Sequence, residues 1–163
     1  MRTALFPGSF DPFHNGHLEV VETASRLFER LVIAPGPNRE KVQALFGIDE
    51  RRAMIAVSVS HLVNVEVAPP GTPVLVVDAA RSLGADVIVK GLRVASDAEA
   101  ELQQAQINKI VSGIETLFVP CSSSYSFIAS KWIRDFASYG GADRVSSMVP
   151  HPVFAAIKER FAP

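Results

Sequence analysis

The chain has 163 residues, 48% hydrophobic and 20% charged, with a formal net charge of −1. At roughly 100–200 residues per domain this reads as one domain over 1–163, and the composition excludes a disordered chain. The balanced charge gives no pull toward nucleic acid or a membrane surface, the single cysteine, Cys121, excludes an intramolecular disulfide framework, and no apolar run approaches the roughly 18 residues of a membrane span. Neither a nucleic-acid nor a membrane partner is expected. The run after Met1-Arg2-Thr3 is short and contains Pro7-Gly8, so a signal peptide is not expected and a cytoplasmic location is.

Short apolar runs alternate with longer stretches of helical period. Residues 3–6 form the first run, and Leu18, Val21, Ala24 and Phe28 follow at helical spacing. The second and third runs are 31–34 and 63–67. Leu75, Ala79 and Leu83 then predict a helix, with Thr72-Pro73 as cap and first-turn residue and Gly84 at its end, where a positive φ is wanted. After the fourth run, 87–90, Ser96 and Glu99 read as a capping box opening a helix to about Val111. The fifth run is 116–119. A helix over 127–139 is expected to carry Ile128, Trp132, Ile133 and Phe136 inward and to stop at Gly140-Gly141, and Pro152 opens a last segment with Val153, Ala156, Ile157 and Phe161.

Continuous apolar runs of this kind suggest strands buried on both faces, and their alternation with helices predicts an α/β fold, a doubly wound, Rossmann-like, five-stranded parallel sheet. The site of such a sheet lies beyond the carboxyl ends of its strands. The loops to inspect are therefore 7–15, 35–47, 68–72, 91–96 and 120–126.

The first loop reads Pro7-Gly8-Ser9-Phe10-Asp11-Pro12-Phe13-His14-Asn15-Gly16-His17. Gly8 would allow a sharp turn and Gly16 a close approach of ligand to backbone. His17 falls in the first turn of the next helix, where unpaired N–H groups and the dipole favour an anion. Capping by the two histidines is the plainer alternative. Lys90 and Arg93 put a point charge and a planar fork at the fourth loop, suited to phosphate or simply solvated. Arg39 and Lys41 lie in the second loop. Ser122-Ser123-Ser124-Tyr125-Ser126, with Ser130 beyond, offers hydroxyls at a helix start, as an anion site or as an ordinary cap by Ser126. Cys121 lacks a nearby base and reads as a small buried residue.

The His-x-Gly-His segment resembles the signature of the nucleotidyltransferase superfamily. Lys90-Gly91-Leu92-Arg93, then Asp97, Glu99, Glu101-Leu102-Gln103, Ala105 and Asn108-Lys109, resembles bacterial phosphopantetheine adenylyltransferase, as do Tyr125-Ser126-Phe127-Ile128 with Ser130, Gly140-Gly141, Phe46, Asp49-Glu50-Arg51 and 61–65. The resemblance covers essentially the whole chain and implies the nucleotidyltransferase fold. Departures are His14, where that family usually has Thr and the nicotinate mononucleotide branch has His, Ala98 and Ala100 in place of two aromatics, and Ala129-Ser130-Lys131 in place of three serines.

The implied reaction joins ATP and 4′-phosphopantetheine into dephospho-coenzyme A and pyrophosphate. The resemblance implies His17 at the α-phosphate, with Ser9 and Lys41 orienting the acceptor phosphate. Arg39 is a possible substitute for Lys41, since the second loop is one residue longer here. It implies Lys90, Leu75 and Val76 at the acceptor. Nucleotide binding falls to Ser9, Phe10, His17, Gly91, Leu92, Arg93, Glu101, Tyr125, Ser126, Phe127, Ile128, Ala129, Ser130 and Lys131. Mg²⁺ would arrive with the triphosphate, and no protein metal ligands are expected. A homohexamer, and coenzyme A as an inhibitor in the same pocket, are further implications, with Phe136 and Phe154 either at an interface or in the core. The alternatives are a nicotinate mononucleotide adenylyltransferase and a non-catalytic adenine-nucleotide sensor. The phosphate acceptor is already anionic, so neither a general base nor a covalent intermediate is required.

Overall fold

The computed structural model describes residues 2–37, 44–93 and 95–162, and the side chains within them apart from those of 95–97. Arg39 and Lys41 lie outside the described residues, and so does the side chain of Ser96. Five parallel strands, β1 (Thr3–Gly8), β2 (Arg30–Pro35), β3 (Val65–Val67), β4 (Val87–Leu92) and β5 (Glu115–Pro120), form one sheet in the order β3-β2-β1-β4-β5. Helices α1 (Asn15–Ser25), α2 (Ile48–Ser58), α3 (Val76–Ser82), α4 (Ala95–Ser112), α5 (Ser130–Phe136) and α6 (His151–Arg160) complete the expected doubly wound pattern.

Side chains alternate across a strand, and here that alternation divides the core in two. Ala4, Phe6, Leu31 and Ile33 join the larger cluster with Val20, Val21, Ile55, Ile133 and Ile157 from α1, α2, α5 and α6. Leu5, Val32 and Ala34 face the other way, onto Ala79 and Ala80 of α3. Burying one such large aliphatic side chain stabilises the fold by about 1.5–3 kcal/mol. Burial on both faces holds for β1 and β2, whereas β3 and β5, at the edges, are partly exposed.

The order reverses between β1 and β4, and their pairing is short: Ala4 faces Val87, Leu5 faces Ile88, and the register ends there. Chemistry explains the stop. In a parallel strand, successive residues direct their backbone groups to alternate neighbours. The Thr3 carbonyl accepts from Asp86 N–H on the β4 side, whereas the Gly8 carbonyl accepts from Gly36 N–H on the β2 side. Pro7 therefore faces β4, at the next position after Leu5, and it has no N–H to give. Past Leu5 the two strands part, each still paired with its outer neighbour to its end.

Three local expectations are corrected. Leu75, not Thr72-Pro73, caps α3, and the Thr72 hydroxyl donates to the Pro69 carbonyl instead. The helix expected from Phe127 begins at Ser130, after a turn. On α5 Ile133 is fully buried, but Trp132 and Phe136 are 52% and 46% exposed. Trp132 lies about 100° and Phe136 about 60° round the helix axis from Ile133, on the same side of it, and that flank stays exposed while Ile133 points into the core. Gly84 and Gly140 do adopt the positive φ expected of helix stops, at 66° and 81°.

Candidate active site

Two cavities open at the carboxyl end of the sheet, where β1 and β4 part. The larger, about 530 Å³, is lined by Ser9, Phe10, His14, His17, Lys90, Gly91, Arg93, Glu101, Ala129, Ser130, Lys131 and Arg134 among others. The smaller, about 270 Å³, is lined by Pro35, Pro37, Thr72, Val74, Leu75, Val76, Gln104 and Asn108 with others. Pro7, Gly8, Ser9 and Lys90 belong to both. A molecule in one cavity thus meets a molecule in the other at Ser9 and Lys90.

The first loop is held from several directions. Its Asp11, fully buried, accepts hydrogen bonds from Leu45 and Phe46 N–H, each at 2.9 Å. Arg51, 4% exposed, donates to the carbonyls of Phe46 (3.1 Å), Gly36 (2.8 Å) and Ser9. Arg134 donates to the Asp11 carbonyl, and the Ser130 hydroxyl to the Pro12 carbonyl at 2.8 Å. Gly8 and Gly16 serve space rather than a left-handed turn. A Cβ on Gly8 would stand 2.7 Å from the Phe10 ring, and one on Gly16 3.0 Å from the His14 ring.

At the mouth of α1 the two histidines cap the helix reciprocally. His14 Nδ1 accepts from Gly16 N–H (3.1 Å) and His17 N–H (3.4 Å), and His17 Nδ1 accepts from His14 N–H (3.2 Å). Each Nδ1 is an acceptor, so in the neutral ring the proton sits on Nε2, which makes Nε2–H a donor. The capping reading is correct, and it sets the donor state that an anion needs. The rings stack at 3.6 Å, and Phe10 and Phe13 enclose His17 at 4.9 and 5.5 Å. Burial and then the Arg93 charge push His14 down to about 3. Burial, then His14, Arg93 and Lys90, hold His17 well below the ordinary imidazole range. Both rings are neutral near pH 7. His14 Nε2 is buried without a hydrogen-bond partner among the described residues.

Among the described residues Lys90, Arg93, Lys131 and Arg134 bring four cations to the larger cavity, against one lining carboxylate, Glu101. That excess suits a polyanion. Arg93 also donates to the Ile128 carbonyl at 2.9 Å, tying the fourth loop to the turn before α5. The smaller cavity is walled by proline and aliphatic side chains, with the amides of Gln104 and Asn108 at one side and, among the described residues, one cation, Lys90.

Of the residues read from sequence, Ser9, Phe10, His17, Lys90, Gly91, Arg93, Glu101, Ala129, Ser130 and Lys131 line the larger cavity, and Leu75 and Val76 line the smaller. Leu92 and 125–128 line neither. The Leu92 carbonyl accepts from Cys121 N–H, Ile128 is buried in the core, and Phe127 is 67% exposed. Ser126 is not the cap of α5, since the cap position is Ala129. Cys121, expected buried, is only half-buried and reaches the larger cavity; burial and the Glu19 charge push its thiol up, which disfavours the thiolate. Sequence reasoning missed Arg134, Gln104 and Asn108 as lining residues. The last two had a legible signal, a polar stripe on α4 in which Gln104 follows Glu101 by three residues and Asn108 follows Gln104 by four.

Among the described residues no group of three or more His, Cys, Asp or Glu could hold a metal ion, and no helix is long and apolar enough to cross a membrane.

A family model described as cytidylyltransferase-like matches residues 5–136. A phosphopantetheine adenylyltransferase of Gloeobacter violaceus is 47% identical over 98% of this chain and 96% of its own length. One from Synechococcus sp. (strain JA-2-3B'a(2-13)) is 45% identical over 97% of both chains, and one from Frankia casuarinae 44% identical over 99% of both. A structure from Vibrio parahaemolyticus described as nicotinate-nucleotide adenylyltransferase superposes with a TM-score of 0.65 over 96% of this chain and 99% of its own, at 17% identity, which speaks for the fold alone. Near-complete overlap with relatives at this level of identity leaves one assignment: the chain belongs to the phosphopantetheine adenylyltransferases, within the cytidylyltransferase-like family.

Proposed function

We propose that this chain transfers the adenylyl group of ATP to 4′-phosphopantetheine, giving dephospho-coenzyme A and pyrophosphate. An acceptor phosphate oxygen attacks the α-phosphorus, the bond from that phosphorus to the bridging oxygen breaks, and pyrophosphate leaves with the electron pair. The observation that carries this reading is the meeting of a cationic cavity and an apolar one at Ser9 and Lys90. The triphosphate takes the first and the pantetheine arm the second, beside Leu75 and Val76.

The chain's work is positioning and charge stabilisation. His17 Nε2–H, its tautomer fixed by the His14 backbone, donates to the α-phosphate as charge grows there. Arg93 and Lys131 balance the leaving pyrophosphate. Lys90 and Ser9 orient the attacking phosphate, with Lys41 as a further cation. Lys41→Ala should raise the acceptor KM while sparing that of ATP, measured by steady-state kinetics. Mg²⁺ would enter with the substrate, as MgATP, held through phosphate oxygens and water.

The test is a panel of acceptors scored by pyrophosphate release. Release with phosphopantetheine and not with nicotinate mononucleotide is expected. The reverse would reassign the acceptor, and tight ATP binding without release from either would make the chain a nucleotide sensor. Coenzyme A, built on the product, would compete in the same two cavities. Exposed Ile107, Ile110 and Val111 on α4 and Trp132 and Phe136 on α5 support self-association to a homohexamer, checked by light scattering. Dependence on ATP supports a cytoplasmic location.

A further inference from the structure

Among the described residues Lys90 is the one cation common to both cavities, and Glu101 is the one carboxylate lining the larger. They form an ion pair, with Lys90 Nζ 3.3 Å from Glu101 Oε2. The side chains are 21% and 34% exposed, so the pair is partly solvated and exchangeable rather than locked. Lys90 stands near the end of β4 and Glu101 on α4, so the pair spans two elements that meet beside the place where the cavities join.

We propose that Glu101 is a positioning residue that acts through Lys90, coupling occupancy of the larger cavity to anion binding in the smaller. The carboxylate competes with a phosphate for the same ammonium and also repels it. Anything that engages Glu101 from the nucleotide side, such as ribose hydroxyls, frees Lys90 for a phosphate on the other side. Nucleotide then strengthens acceptor binding, and by linkage the acceptor strengthens nucleotide binding by the same factor. The identity of the two ligands rests on the adenylyl-transfer reading; competition between Glu101 and an anion for Lys90 does not.

The experiment separates the two. Inorganic phosphate is titrated into the wild type, Glu101→Gln and the double variant Glu101→Gln/Lys90→Met, followed by phosphorus NMR. Glutamine keeps the shape and removes the charge. For a partly exposed pair, phosphate affinity should rise about two- to five-fold in Glu101→Gln. That gain should vanish when Lys90 is also replaced. In parallel, a non-hydrolysable ATP analogue should tighten phosphopantetheine binding to the wild type by a similar factor and have little effect on Glu101→Gln. Equal phosphate affinity in wild type and Glu101→Gln, no detectable phosphate binding in either, a gain that survives loss of Lys90, or undiminished coupling in Glu101→Gln overturns the proposal. Failure of the adenylyl-transfer reading looks different: no pyrophosphate is released with phosphopantetheine while the Lys90-dependent gain in phosphate affinity persists.

Discussion

The two cavities share a wall and differ in nearly everything else. The larger is built from neutral imidazoles and four cations, and its geometry is fixed by hydrogen bonds among buried groups. The smaller, among the described residues, is built from prolines and aliphatic side chains, with two amides and one charge. The contrast shows how one site divides its labour. In the proposed reaction, preorganised donors would lower the barrier on one side, and on the other apolar shape and desolvation would select the partner.

The largest effect expected from this contrast lies on the cationic side. His17→Ala should lower kcat by about two to three orders of magnitude with little change in the ATP KM, because its donor matters most in the transition state. Unchanged turnover would remove His17 from the chemistry. Next comes the shared wall. Asp11→Ala leaves the buried Phe46 N–H and the part-buried Leu45 N–H without their acceptor and the buried Arg51 without its nearby counter-charge. A loss of about 3 kcal/mol in denaturant-measured stability is expected, with both KM values raised.

A smaller effect distinguishes the cavities by pH. The folded His14 titrates near 3 and the unfolded one near 6.5, so the unfolded chain binds more protons between those values. Stability therefore falls as pH drops below 6.5, by about 2 kcal/mol at pH 5 from His14 alone. His17 adds in the same direction. His14→Thr keeps a good helix cap and should flatten this dependence in melts from pH 7 to 5. The smallest effect is on the apolar side. Leu75 is 52% exposed, so Leu75→Ala should weaken acceptor binding by only about 1 kcal/mol, a five-fold rise in its KM, with the ATP KM unmoved. A change in the ATP KM instead would mean that the cavities are not separate subsites.

Much of this was legible in the chain itself. Runs of Val, Ile and Leu marked β2 and β4, because a strand covered on both sides has few polar positions to spare, whereas the run expected at 63–67 overshot: β3 is Val65–Val67, with Glu66 exposed and Val63 fully exposed outside it. The loop from Pro7 to His17 announced itself by composition. What escaped notice was non-local. Nothing near Arg51 or Arg134 says that their guanidinium groups meet carbonyls of the first loop, which lies far away in the sequence. Trp132 and Phe136 were misread for a related reason: hydrophobicity gives a helix its period, but on seven residues the period does not say which stripe faces the core. Gln104 and Asn108 line the smaller cavity from α4, a placement that depends on how that helix packs and not on local sequence.

Pro7 carries a consequence beyond its own position. Had any residue with a backbone donor stood there, β1 and β4 could have continued zipping at the 4.7–4.9 Å spacing usual between strands, and the cleft would have been sealed by main chain. One missing hydrogen atom splits the sheet into two stiff leaves, β3-β2-β1 and β4-β5, that spread apart beyond Leu5. Ser9 rides at the tip of one leaf and Lys90 on the other. The early end of the β1–β4 pairing thus sets how Ser9 and Lys90 stand across the cleft, a spacing fixed by main chain rather than by a side chain.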